Sequence, residues 1–144
     1  MIDSIAYLSV SNIKPTAREV DEMLDQFKSA NKLHALTGFL VYDQNHFFQY
    51  IEGPEKEIAM LMKNIRKDPR HKIMVESNNR RSDRRFKKWS MKIIGYSNLT
   101  RILPENKLID LIAFSITKKD IIPEWESYAW EIINEIAEKQ MRII

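Results

Sequence analysis

The stretch Leu36-Thr37-Gly38-Phe39-Leu40-Val41-Tyr42-Asp43-Gln44-Asn45-His46-Phe47-Phe48-Gln49-Tyr50-Ile51 decides the fold. Two short runs rich in aromatic and β-branched residues flank a polar Asp43-Gln44-Asn45, which predicts a hairpin with strands at 36–42 and 46–51. Upstream, Ile2 to Val10 is short and apolar, as a buried strand should be. Between them, Thr16 and Glu19 form a capping box after Pro15, and Val20, Met23, Leu24 and Phe27 recur at helical spacing as far as Ala30. Downstream, Ile58, Leu61, Met62 and Ile65 predict a second amphipathic helix, stopped by Asp68-Pro69. Lys72 to Ser77 reads as a strand and Asn78 to Asp83 as a polar connection. Phe86 to Ile94 reads as a last strand with Trp89, Met91 and Ile93 on one face. The order β-α-β-β-α-β-β is an α+β pattern: the ferredoxin-like arrangement with one strand added, a mixed five-stranded sheet with two helices on one face.

Two further helices are expected beyond it. Leu108 to Ile116 is apolar nearly all round, and Pro123 opens a helix whose stripe is Trp125, Tyr128, Ala129, Ile132, Ile133 and Ile136. This extension must cover the open sheet face or a neighbouring subunit, so a homo-oligomer is expected. The chain divides into a domain at 1–96 and an extension at 97–144.

Composition excludes several classes of function. With 44% hydrophobic and 30% charged residues in 144, the chain is an ordinary globular one rather than disordered or fibrous. It has no cysteine, so disulfides, thiolate metal sites and cysteine nucleophiles are all absent. No apolar run approaches the roughly 20 residues that cross a bilayer, and Met1-Ile2-Asp3-Ser4 lacks the basic head of a secretory signal; a cytoplasmic location away from membranes is expected. Three glycines cannot build a phosphate-binding loop, and His34, His46 and His71 lack metal-ligand spacing. Glu124 and Glu126 suit the first turn of a helix, where they complement its dipole. No enzyme is expected, and any chemistry must come from a cofactor.

Net charge is only +3, but residues 63–88 carry eleven Lys/Arg against three Asp/Glu, densest at Arg80-Arg81-Ser82-Asp83-Arg84-Arg85-Phe86-Lys87-Lys88. Such a run either holds phosphates or is a solvated strand edge guarded by charge. A nucleic-acid-binding module would also need a displayed aromatic pattern that is missing, so no direct nucleic-acid contact is expected. A cofactor-free regulatory module that oligomerises through its C-terminal helices is a further alternative.

Polar residues interrupt the apolar segments at Tyr7, on the face of Ile5 and Ser9, and at Gln49, on the face of Phe47 and Ile51. Asn31 follows the first helix. A buried glutamine amide has four hydrogen-bonding valences, and leaving one unsatisfied costs roughly 1–3 kcal/mol. Three solutions are open. Tyr7, Gln49 and a backbone group satisfy one another; Gln49 faces solvent on an edge; or a flat, heteroatom-rich ligand inserts between the helices.

The motifs Tyr7-Leu8-Ser9, Asn31 with Leu36-Thr37-Gly38-Phe39-Leu40, Phe48-Gln49-Tyr50-Ile51-Glu52-Gly53, Asp68-Pro69-Arg70-His71 and Arg85-Phe86-Lys87-Lys88-Trp89-Ser90-Met91 resemble the BLUF family, sensors of blue light using flavin. The resemblance covers about residues 2–96, and the remainder is similar to the two-helix tail of short, single-domain members. It implies a non-covalently bound flavin: FAD, or FMN or riboflavin through the same ring contacts. It implies that Tyr7 donates an electron and a proton to the excited flavin and that Gln49 rearranges its hydrogen bonds afterwards. Asn31, Asp68, Arg70 and His71 match cofactor-binding positions, and Trp89 and Met91 match the pair that relays the signal. The implied output is an altered interaction with a downstream signalling protein. Two positions depart from the family pattern: Ala30 stands where an asparagine is frequent, and Asn64 where an arginine is.

Overall fold

The computed structural model describes residues 2–11, 16, 18, 19, 21, 22, 25, 29, 35–43, 46–87, 92–95 and 125–139. Among them lie β1 (Ile2–Ser11), β2 (Thr37–Asp43), β3 (His46–Pro54), α1 (Glu55–Lys67), β4 (His71–Arg81), β5 (Lys92–Gly95) and α2 (Trp125–Glu138). The chain is α+β. Its strands form one sheet in the order β4-β1-β3-β2-β5. Each pair of neighbours is antiparallel except β2 and β5, which run parallel. The β2–β3 pairing closes at Asp43 opposite His46, where the polar turn signal lies.

The capping box before β2 is reciprocal: Glu19 N–H donates to Thr16 Oγ1 at 3.2 Å, and Thr16 N–H donates to Glu19 Oε1 at 3.3 Å. Arg18, Glu19, Asp21, Glu22, Asp25 and Ser29 are helical. The expected apolar stripe of that helix lies outside the described residues, as does the helix expected at 108–116.

Sheet alternation separates two cores. Ile5, Tyr7, Leu40, Phe47 and Ile51 pack with Ile58, Met62 and Ile65 of α1. These helix residues are spaced four and three apart, so they share one face. Glu55 and Glu57 in the first turn and Arg66 and Lys67 in the last complement the dipole. Asp68 caps the end, its N–H donating to Ile65 O at 3.2 Å, and Pro69 prevents continuation. On the other face, Ala6, Leu8, Phe39, Val41, Phe48, Tyr50 and Phe86 pack with Trp125, Ala129, Ile132, Ile133 and Ile136 of α2. Each such large side chain contributes roughly 1.5–3 kcal/mol on burial. With a helix over both faces, β1 is buried without interruption from Asp3 to Ser9.

Two strand boundaries differ from expectation. β4 does not end at Ser77 but continues through Arg81, because β1 offers pairing partners along its whole length, as far as Ile2 opposite Arg81. Asn78, Asn79 and Arg80 are polar because β4 is an edge strand with wet side chains. The last strand does not begin at Phe86. The N–H groups of Arg85 and Phe86 donate to the Glu52 carboxylate, each at 2.8 Å, instead of entering a ladder. The described part of the strand is Lys92–Gly95.

Gly38 sits opposite Ile51 with φ +150°, and a Cβ there would lie 1.9 Å from Tyr50 O. A Cβ at Gly53 would first meet Leu36 Cδ2, at 2.6 Å, the movable end of a side chain. Gly38→Ala is therefore expected to cost about 3 kcal/mol or more, combining backbone strain with displacement of a strand. Gly53→Ala should cost less than half as much. Denaturant midpoints of the two variants measure this, and equal losses would contradict it.

Candidate functional site

Tyr7 and Gln49 are direct partners in the β1–β3 pairing, so their side chains leave the same face of the sheet side by side. Both are buried, at 2% and 1% exposure, on the two central strands. The Tyr7 hydroxyl donates to Gln49 Oε1. The edge reading of Gln49 is thereby excluded, since β3 is flanked by β1 and β2. A half-turn of the amide exchanges its acceptor oxygen for a donor nitrogen without changing charge. Burial pushes the Tyr7 phenol well above the ordinary tyrosine value, and the Asp68 carboxylate adds to the shift. The phenol therefore stays protonated and able to donate.

Ser9, opposite Phe47 on the same face, has a buried hydroxyl with no hydrogen-bond partner among the described residues. A buried hydroxyl left so costs roughly 1–3 kcal/mol. Phenol, carboxamide and hydroxyl along one face form a mixed donor–acceptor set, and a flavin ring, with N–H and C=O groups along one edge, fits that chemistry.

The other expected site residues are placed unevenly. Asp68 lies close enough to Tyr7 for its charge to act there. Arg70 Nη2 donates to Asp68 Oδ2 at 2.6 Å, and this bond holds the Asp68 carboxyl below the usual carboxylate range against the opposing effect of burial. The Arg70 side chain is largely exposed and turned to that carboxylate, while His71 opens β4 opposite Ser11. Neither makes a described contact with Tyr7 or Gln49. Asn31, Trp89, Met91 and Ala30 lie outside the described residues, and Asn64 stands on the exposed side of α1.

The sequence reading gave no role to a second polar centre, on the opposite face. Glu52 is fully buried, and its carboxylate accepts four hydrogen bonds. They come from Thr37 Oγ1 at 3.0 Å, Tyr50 Oη at 2.6 Å, and the N–H groups of Arg85 and Phe86. A carboxylate two residues after Tyr50 in an apolar strand is the same signal that singled out Gln49. Burial raises the Tyr50 phenol above its ordinary value, helped by Glu52 and partly offset by Arg85.

The arginines of the basic run are engaged within the molecule. Arg80 pairs with Glu55 at 2.7 Å, Arg66 with Glu76, and Arg81 with Asp83 at 3.8 Å. Arg84 donates to Ala35 O at 2.6 Å and Thr37 Oγ1 at 2.9 Å. Exposed pairs of this kind are worth roughly 0–1 kcal/mol each, so they guard an edge more than they stabilise it.

The raised phenols carry a pH signature. In the unfolded chain they ionise near pH 10 or so, while in the fold they hold their protons to higher pH. Their contribution is fully present below that value and is lost as pH rises through the folded range. Stability should therefore fall above about pH 10, by about 1.4 kcal/mol per pH unit for each phenol. Tyr7→Phe should reduce that slope by one such share. Denaturant titrations between pH 9 and 11.5 or so check this, and an unchanged slope in the variant would contradict it.

A family model described as sensors of blue-light using FAD matches residues 2–92. The blue light- and temperature-regulated antirepressor BluF of Escherichia coli (strain K12) is 33% identical over 76 residues, 53% of this chain and 19% of the relative. Photoactivated adenylate cyclase subunit alpha of Euglena gracilis is 32% identical over 117 residues, 79% of this chain and 11% of the relative. The chain thus spans a fifth or less of these curated relatives. Among solved structures, the dark state of the BLUF protein BlrB overlaps 96% of both chains with a TM-score of 0.74 and 27% identity. No helix of the described residues is long and apolar enough to cross a membrane, and no cluster among them is arranged to hold a metal. With a family match that runs from β1 into β5 and a solved neighbour that overlaps nearly end to end, the chain belongs to the BLUF family of blue-light flavin sensors.

Proposed function

We propose that Tyr7 and Gln49 are the photoactive pair of a flavin photoreceptor, and that the observation carrying this reading is their buried hydrogen bond on the α1 face. Flavin bound there supplies the absorption of blue light and the excited-state electron acceptor. Tyr7, kept protonated by burial, would give an electron to that acceptor; oxidation makes the phenol strongly acidic, its proton passes along the existing bond to Gln49 Oε1, and electron and proton both return to Tyr7 on recombination. The Gln49 amide then settles with donor and acceptor rearranged. Helix α1 and the apolar residues around the pair exclude water that would otherwise accept the proton. Asn31, Asp68, Arg70 and His71 are the further cofactor-binding residues, and Trp89 and Met91 relay the change outward.

The cofactor is a flavin: FAD, in keeping with the family description, or FMN or riboflavin through the same ring contacts. The chain is a cytoplasmic sensor and not an enzyme. Its output is a changed interaction with a separate signalling protein or within a homo-oligomer, in keeping with a relative named an antirepressor. Residues 1–96 form the sensor in a ferredoxin-like arrangement with both of its helices on one face, and 97–144 form the extension. A nucleic-acid-binding role is not favoured, because Arg66, Arg80, Arg81, Arg84 and Arg85 all have intramolecular partners.

Blue light should produce a small, reversible red shift of the bound flavin spectrum, and no covalent adduct, since there is no cysteine. Tyr7→Phe and Gln49→Leu should each retain flavin and lose the shift. A normal shift in either variant would refute the assignment. Because the arginines of the basic run have intramolecular partners, FAD, FMN and riboflavin should bind within about tenfold of one another, a span of about 1.4 kcal/mol. Rejection of riboflavin in a fluorescence titration would show instead that a group of the protein reads the nucleotide tail.

A further inference from the structure

Gln49 and Tyr50 are consecutive on β3, so they stand on opposite faces of the sheet, one in the core with α1 and the other in the core with α2. A single peptide unit therefore joins the hydrogen bond at Tyr7 to the surface on which the C-terminal helix rests. On that surface Arg85 makes the polar connection. Its N–H is tied to Glu52 Oε1 at 2.8 Å, and its Nη1 donates to Tyr50 Oη at 3.1 Å. Its Nε donates to Asn134 Oδ1 of α2 at 2.9 Å. The guanidinium also lies 5.7 Å from the Tyr50 ring centroid and 5.2 Å from that of Trp130, with the two rings edge-to-face at 6.0 Å. Both distances are within cation–π range. Trp130 Nε1 in turn donates to Ser77 Oγ at 2.9 Å, and Ser77 Oγ donates to Glu126 Oε1 at 2.7 Å.

The apolar stripe of α2 holds the helix to the sheet, but apolar contact is non-directional and permits rotation or sliding. Beside the Ser77 bonds to Trp130 and Glu126, the directional contacts to Tyr50, Asn134 and Trp130 help decide where along the sheet the helix sits. They converge on one side chain whose backbone is fastened to β3. We propose that Arg85 is the positioning residue that converts the state of β3 at Gln49 into the placement of α2, acting through Tyr50 on one side and through Asn134 and Trp130 on the other. The proposal rests on the photoactive role given to Gln49 above. It adds a route across the sheet that does not pass through Trp89 and Met91.

The test uses the full 144-residue chain loaded with FAD, with the flavin spectrum and amide hydrogen exchange recorded in darkness and under blue light. The red shift reports the photochemistry, and exchange in 129–138 reports α2. In the wild-type chain, light should change exchange in α2. In Arg85→Gln the red shift should persist, while the light–dark difference in α2 shrinks by about fivefold or more, the lower end of ordinary coupling between sites. The light–dark difference at Lys92–Gly95 should remain in that variant, separating the Arg85 route from the one through the last strand. Arg85→Lys, which keeps the charge and loses the planar fork, should behave like the glutamine variant. Asn134→Ala, an exposed change that leaves the core intact, should give a partial loss and serves if Arg85→Gln fails to fold. A wild-type difference in α2 that survives in the Arg85 variants, or in Asn134→Ala where Arg85→Gln fails to fold, overturns the proposal. So does a wild-type chain that shifts its spectrum but leaves α2 unchanged. Absence of the spectral shift in the wild-type chain would instead refute the photoactive pair itself.

Discussion

A phenol and a carboxamide are held opposite one another on the two central strands, away from water. Burying these groups costs several kcal/mol unless each finds a partner. The β1–β3 register provides that partner by setting Tyr7 against Gln49, and a slip of one residue would send the two side chains to opposite faces. The register is in turn enforced by the apolar residues that alternate with them and fill two separate cores. A helix over each face keeps the pair dry. The chemistry of the site is thus a consequence of a sheet that is covered on both sides.

The two faces divide the labour. One carries Tyr7, Gln49 and the Ser9 hydroxyl, a set suited to a planar ring with mixed hydrogen-bonding edges. The other carries a carboxylate, Glu52, whose two oxygens each accept two bonds and which gathers β2, β3 and the 85–86 backbone to one point. A buried charge satisfied in this way is a strong local constraint, because removing any one donor leaves the carboxylate short. Two residues along β3, Tyr50 and Ile51, separate Gln49 from Glu52. The Gln49–Tyr50 peptide at the start of that stretch crosses from one face of the sheet to the face on which α2 rests.

Much of this was legible in the amino-acid order, for identifiable reasons. The hairpin, the capping box at Thr16 and Glu19, and the stop at Asp68-Pro69 are local signals, and each appears at its expected place. Tyr7 and Gln49 were legible as polar interruptions in apolar strands, and the structure joins them. The extra length of β4 was not legible, because Asn78-Asn79-Arg80-Arg81 reads as a turn unless one knows that it lies on an edge beside a long partner. That Phe86 lies outside the last strand depends on Glu52, a residue more than thirty positions away whose carboxylate competes for the backbone of Arg85 and Phe86. Long-range hydrogen bonds of this kind leave no periodicity to read.

The central claim is that the Gln49 carboxamide itself changes its hydrogen bonding when light is absorbed. Light-minus-dark infrared difference spectra of the FAD-loaded chain, with and without isotope labelling of the glutamine side-chain carbonyl, measure this directly. The account predicts label-sensitive bands that appear on illumination, decay with the red-shifted state and vanish in Gln49→Leu. A difference spectrum unaffected by the label, in a chain whose flavin still shifts, would contradict it.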